Sequence, residues 1–162
     1  AGFLLNNEMG DFNAGPGLTT AEGLIGTPPN LAAPGKRMLS SMSPTLVLDP
    51  QGRPFMALGS PGATRIIPTL AQVISNVIDR GMPVQIAISA PRLFQGRTGN
   101  LLLEGRYSIN AFKGLVALGH GVTVHPDFDA AFGGVHAVLF DHAAKTLHGG
   151  ADPRRDGQAA GY

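Results

Sequence analysis

Apolar positions come in short runs broken by turns, with one long helical stripe near the middle. Leu70, Val73, Ile74, Val77 and Ile78 recur at i, i+3, i+4, i+7 and i+8, one face of an α-helix. Pro68 suits its first turn, Gly81 its end, and Pro83 blocks continuation. Upstream, Thr45–Asp49 and Pro54–Leu58 flank the turn Pro50-Gln51-Gly52-Arg53 and predict a β-hairpin. Downstream, Val84–Ala90 fits a short helix or a turn, and Leu101–Glu104 a strand. Ser108 is placed to cap a helix through about Leu118, stopped by Gly119. Strands follow at Gly121–His125 and Gly134–Phe140, then a turn at Asp141–Lys145 and a strand starting at Thr146. A first short strand is expected over residues 2–7, and a long Gly/Pro-rich loop over 8–35. Helices and strands mix without strict alternation, which predicts an α+β fold with a mostly antiparallel sheet.

Composition sharpens this picture. Only 14% of the 162 residues are charged, and 23 glycines and 13 prolines mark many turns. Twelve basic against eleven acidic residues leave a net charge of +1, without the basic footprint of a nucleic-acid binder. No apolar run approaches the length of a membrane span. Zero cysteines exclude disulfides, thiolate nucleophiles and Cys-type zinc sites. The five histidines form no recognisable ligand set, so surface or packing roles are expected of them. Arg154-Arg155-Asp156 reads as a salt-bridged tail. Ala1-Gly2-Phe3-Leu4-Leu5 lacks the basic start and long apolar region of a signal peptide, and the chain reads as a piece of something longer.

Three loop clusters offer chemistry, since sites concentrate on loops that follow scaffold elements. Glu8 and Asp11, three residues apart in a turn, can converge on one ammonium group; alternatively they cap a solvated turn. Ser40 and Ser41 can donate to a carboxylate, or form an ordinary turn before a strand. Gly59-Ser60-Pro61-Gly62-Ala63-Thr64-Arg65 joins a strand to a helix, where exposed backbone N–H groups favour an anion or an oxyanion; the alternative is a purely steric turn.

Together these segments resemble the small subunit of the γ-glutamyltransferases. The resemblance is carried by Leu4-Leu5-Asn6-Asn7-Glu8-Met9-Gly10-Asp11-Phe12, by the segment Pro34–Thr45 and by Gly59–Ile66. Ala90-Pro91-Arg92, Gly149–Arg154 and the terminal Ala160-Gly161-Tyr162 fit as well. It implies an N-terminal-nucleophile hydrolase with a four-layer αββα sandwich, cut by its own precursor into a large and a small subunit. Residues 1–162 would form the C-terminal part of that small, catalytic subunit. Its nucleophile would be a threonine upstream of Ala1, with the threonine's own amine as base. The γ-glutamyl group of glutathione or a related amide would pass to water, an amino acid or a peptide through an acyl-enzyme.

Position by position, the resemblance gives Glu8 and Asp11 to the donor's α-ammonium. It gives Ser40 and Ser41 to its α-carboxylate, helped by an arginine of the large subunit. The N–H groups of Gly62 and Ala63 become the oxyanion hole, and residues 13–35 the lid and pocket region. It implies no metal and no cofactor, and a periplasmic or secreted enzyme. The chain departs from the family where Ala63 stands for a second glycine, where Gly10 replaces a common aspartate, and where Leu18–Glu22 lacks an aromatic. Two alternatives remain: an acylase of the same fold acting on glutaryl or cephalosporin-type amides, and a non-catalytic binding or assembly module.

Overall fold

The computed structural model describes residues 6–13, 30–96 and 99–161. They fall into two compact units, residues 1–41 and 42–162. Within the first unit Glu8–Asp11 form a single 3-10 turn, and Asn13 makes an isolated parallel bridge to Leu31. Most of the expected strand over 2–7, and the stretch 14–29 of the lid region, lie outside the described residues; Asn6 and Asn7 are not in a strand.

The second unit is built on two sheets. The larger has the order β1-β2-β6-β7, from Thr45–Leu48, Pro54–Gly59, His136–Asp141 and Thr146–Ala151, all antiparallel. The smaller sheet has the order β3-β4-β5, from Leu93–Gln95, Leu101–Glu104 and Val122–His125. Here β4 and β5 run parallel, joined by the helix α3 (Ile109–Ala117), as a parallel pair requires a crossover. The fold is therefore α+β with mostly antiparallel pairing, and β3 is an addition that the sequence pattern does not show.

The hairpin β1–β2 forms because the Asp49 carboxylate collects the N–H groups of Gln51 and Arg53 at 2.9 and 2.8 Å. The central helix α1 spans Ile66–Ile78, two residues earlier than Pro68 suggests, because the 3-10 turn Ala63–Arg65 leads directly into it. Its stripe buries Ile66, Leu70, Val73 and Val77. Val84–Ser89 resolves into the helix α2, burying Val84, Ala87 and Ile88. These residues pack on Met56, Leu58, Val135 and Ala137 to form one core on one face of the larger sheet. Ser108 caps α3, its hydroxyl accepting the Ala111 N–H at 3.1 Å.

The opposite face of that sheet is also apolar. The register puts Leu46, Ala57 and Val138 in one cross-strand row and Phe140 with Leu147 in the next, on the side away from Met56 and Leu58. Leu46, Val138 and Leu147 are exposed there. A sheet apolar on both faces belongs between two layers.

Two glutamines tie helices to sheet edges. Gln72 of α1 accepts the Leu93 N–H at 3.0 Å and donates to the Leu93 carbonyl at 2.9 Å. Gln85 of α2 does the same for Ala151 of β7, at 3.0 and 2.9 Å. Each side chain satisfies the backbone of a strand residue that would otherwise lack partners. Among the described residues no helix is long and apolar enough to cross a membrane.

Candidate active site

The first unit carries four of the candidate residues. Glu8 and Asp11 lie at the two ends of the 3-10 turn and are half-buried. The turn is set by Gly10 N–H donating to the Asn7 carbonyl at 3.0 Å and Glu8 N–H donating to Asn6 Oδ1 at 3.2 Å. Neither carboxylate is consumed by these bonds. The Asp11 carbonyl instead accepts from Asn30 Nδ2 at 2.7 Å, and Asn30 Oδ1 accepts the Leu39 N–H at 2.8 Å. Ser40 is exposed and Ser41 half-buried, directly after that anchored residue. One carboxamide, which the sequence pattern hides in a Gly/Pro-rich loop, thus bonds the backbone at Asp11 and at Leu39, the residue before the paired serines.

The second unit carries the strand-to-helix turn. Gly62 has φ +136° and Ala63 φ +49°, both on the left-handed side of the map. Glycine meets this at no steric cost, whereas alanine is strained. The two consecutive N–H groups precede α1, and among the described residues neither forms a hydrogen bond. Two free N–H groups at a helix entry are suited to stabilise an oxyanion.

The loop leading into β6 buttresses this turn. Ser60 Oγ accepts the Gly134 N–H at 3.0 Å and donates to the Pro61 carbonyl at 2.8 Å. Gly133 has no room for a side chain: a Cβ there would stand 2.6 Å from Ser60 Oγ and 3.2 Å from the Pro61 carbonyl. The Phe132 carbonyl next to it accepts from Thr69 Oγ1 at 3.2 Å and from Arg92 at 3.0 Å.

Behind that loop sits a buried charge network. Arg92 pairs with Asp152 at 2.7 Å, and Arg154 bridges Asp152 at 3.0 Å and Glu104 at 2.6 Å. Glu104 also accepts from Arg106 at 2.9 Å and from the Arg92 N–H at 2.9 Å. Arg106 lies over the Phe128 ring, 3.7 Å from its centroid. Burial alone would raise the Asp152 carboxyl, but the Arg92 guanidinium and the N–H groups of Arg154 and Val135 hold it below the usual range. Burial would lower Arg154, yet its bonds to Glu104 raise it further. Arg154 is therefore an interior bolt and not the salt-bridged tail its neighbours suggest; Arg155 is exposed. Arg92 ties this network to the loop before β6 through its bond to the Phe132 carbonyl.

The histidines serve local contacts. His125 bonds Asp129 at 2.8 Å and meets Phe132 edge-on, and His142 contacts the Pro54 carbonyl at 2.7 Å. Among the described residues no group of three or more His, Asp or Glu side chains is arranged to hold a metal ion.

Comparison with known proteins gives these features a class. The family model described as gamma-glutamyltranspeptidase matches residues 1–162. The glutathione hydrolase proenzyme of Escherichia coli is 40% identical over all of this chain, which covers 27% of that protein. The acylase ACY 1 proenzyme of Pseudomonas sp. (strain SE83) is 38% identical over 96% of the chain, covering 25% of that protein. Among solved structures, a mutant form of Helicobacter pylori gamma-glutamyltranspeptidase superposes with a TM-score of 0.77 at 40% identity, over 96% of this chain and 83% of that one. The chain spans about a quarter of the length of the curated relatives it matches. The fold is that of an N-terminal-nucleophile hydrolase. Within that class, the chain belongs to the gamma-glutamyltranspeptidase family, a family of enzymes made as proenzymes.

Proposed function

We propose that this chain supplies the donor-binding and oxyanion-stabilising parts of an enzyme that transfers γ-glutamyl groups from glutathione or related amides. The observation that carries the reading is the Gly62–Ala63 turn before α1, whose two N–H groups have no acceptor among the described residues. Such donors suit a site where negative charge develops on a carbonyl oxygen.

The reaction then follows the chemistry of an N-terminal threonine. Its amine takes the hydroxyl proton, and the oxygen attacks the γ-amide carbon. The carbonyl oxygen gains a negative charge and is held by the Gly62 and Ala63 N–H groups. Collapse expels the amine, which receives the proton, and leaves the glutamyl acyl-enzyme. Water or an acceptor amine releases it. Glu8 and Asp11 hold the donor's ammonium, and Ser40 and Ser41 its carboxylate, so acceptors face one end of a zwitterion and donors the other.

The partner of this chain is the large subunit of the same precursor. The apolar outer face bearing Leu46, Val138 and Leu147 suits the inner face of a second sheet, as in a four-layer sandwich.

The test is Asp11→Ala in the full proenzyme, assayed with a γ-glutamyl anilide. KM should rise by about a hundredfold, because the ammonium loses its charge partner; unchanged kinetics overturn the donor assignment. The acylase relative supports a second reading, an amide donor without an α-amino group. Higher kcat/KM on a glutaryl anilide than on the glutamyl one would select it.

A further inference from the structure

We infer that Asn30 is a positioning residue that sets both arms of the donor pocket at once. The inference rests on the proposed donor reading and adds a residue to it. Asn30 is 8% exposed, and every polar group it points inward is used. Its Nδ2 donates to the Asp11 carbonyl at 2.7 Å, its Oδ1 accepts the Leu39 N–H at 2.8 Å, and its backbone carbonyl accepts the Asn13 N–H at 2.9 Å. Asp11 belongs to the ammonium arm, and Leu39 directly precedes the serines of the carboxylate arm.

The two arms lie on segments nineteen and nine residues from Asn30, on opposite sides of it in sequence. Neither segment is in a regular helix or sheet that would fix its backbone, apart from the 3-10 turn and the Asn13–Leu31 bridge. The separation of an ammonium acceptor from a carboxylate donor is what distinguishes an α-amino acid end from a plain carboxylate. A carboxamide is the side chain that can hold both segments, because it offers a donor and an acceptor a fixed distance apart. Aspartate keeps the acceptor toward Leu39 and turns a second oxygen against the Asp11 carbonyl. Leucine keeps the volume and strands both backbone groups.

The experiment uses the full proenzyme after processing, with three anilide donors. One is γ-glutamyl, one glutaryl, which lacks the amine, and one 4-aminobutyryl, which lacks the carboxylate. For Asn30→Ala, KM for the glutamyl donor should rise about tenfold or more with kcat less affected, and the two truncated donors should lose less. For Asn30→Asp, the glutamyl advantage over the glutaryl donor should shrink while its advantage over the aminobutyryl donor persists. Equal losses on all three donors, or unchanged KM in both variants, would overturn the positioning role. Should Asn30→Ala fail to process, Asn30→Asp carries the same test. The wild-type arm separates the two claims. A wild-type enzyme that treats glutamyl and glutaryl donors alike overturns the donor reading and this inference with it. A wild-type preference that survives both substitutions overturns the inference alone.

Discussion

The Ser60 hydroxyl accepts the N–H of Gly134, 74 residues away in sequence, at 3.0 Å. This bond joins the turn that presents Gly62 and Ala63 to the loop before β6. Ser60→Ala leaves the buried Gly134 N–H without a partner, at a cost of about 1–3 kcal/mol. It also frees the turn to drift from the geometry an oxyanion needs. On the oxyanion role proposed for Gly62 and Ala63, kcat should fall about tenfold with KM little changed. Ser60→Thr, which keeps the hydroxyl, should restore most of the rate. A higher KM with kcat intact would refute this role.

Ala63 holds a φ of +49° where a Cβ is unwelcome. Ala63→Gly removes the strain, worth about 1–2 kcal/mol, and gives back about 0.4–1 kcal/mol through the freer unfolded chain. The net expectation is a gain between about 0 and about 1.6 kcal/mol, read as a thermal midpoint unchanged or a few degrees higher. Activity should hold, because the N–H stays. A clear drop in the midpoint would show that the packing of the alanine methyl outweighs the backbone strain.

Much of this architecture was legible in the sequence. The α1 stripe, the Asp49 hairpin and the Ser108 cap are local, and each depends on residues within one or two turns of one another. The strand β3 was not legible, because three residues carry no alternation and Leu93 owes its pairing to Leu103 and the Gln72 side chain. The parallel β4–β5 pair and the Glu104–Arg154 bond, 50 residues apart, are likewise set by topology. Of the candidate site, the acids, serines and turn glycine are the residues that type and spacing bring forward. Asn30 does not, since a lone asparagine among glycines and prolines usually marks only a turn.

Glu104 is completely buried and binds Arg154 through both oxygens, at 2.7 and 2.6 Å, besides Arg106 and the Arg92 N–H. Glu104→Gln removes the charge these guanidiniums face. An uncompensated buried cation costs about 3–5 kcal/mol, so the thermal midpoint should drop sharply or soluble protein should be lost. A near-native midpoint would mean that water or a neighbour takes over the Arg154 pairing.

Asp152 makes stability depend on acid. Its folded carboxyl sits below the ordinary value, so protons prefer the unfolded chain. The stability it contributes is complete above its unfolded pKa, about 3.9, and is lost as pH falls through the lower folded value. Asp152→Asn should therefore lower the thermal midpoint at neutral pH and flatten its decline on acidification. Melts of both proteins from about pH 7 to about pH 2 check this, and parallel curves would assign the acid limb to other carboxylates.

Leu147 is 65% exposed on the outer row of the larger sheet, paired with Phe140 and beside Val138. An apolar side chain can stand in water without much harm, but a whole apolar row beside a second, buried face is the surface of a layered core. If the rest of the proenzyme covers it, a charge placed there must be desolvated without a partner, costing several kcal/mol. Leu147→Asp in the full proenzyme should then reduce processing and separate the two subunits on size-exclusion chromatography. Lys113→Asp, on the exposed side of α3, should leave both unchanged. Normal co-elution and processing of Leu147→Asp would place the second layer elsewhere and leave this face to solvent.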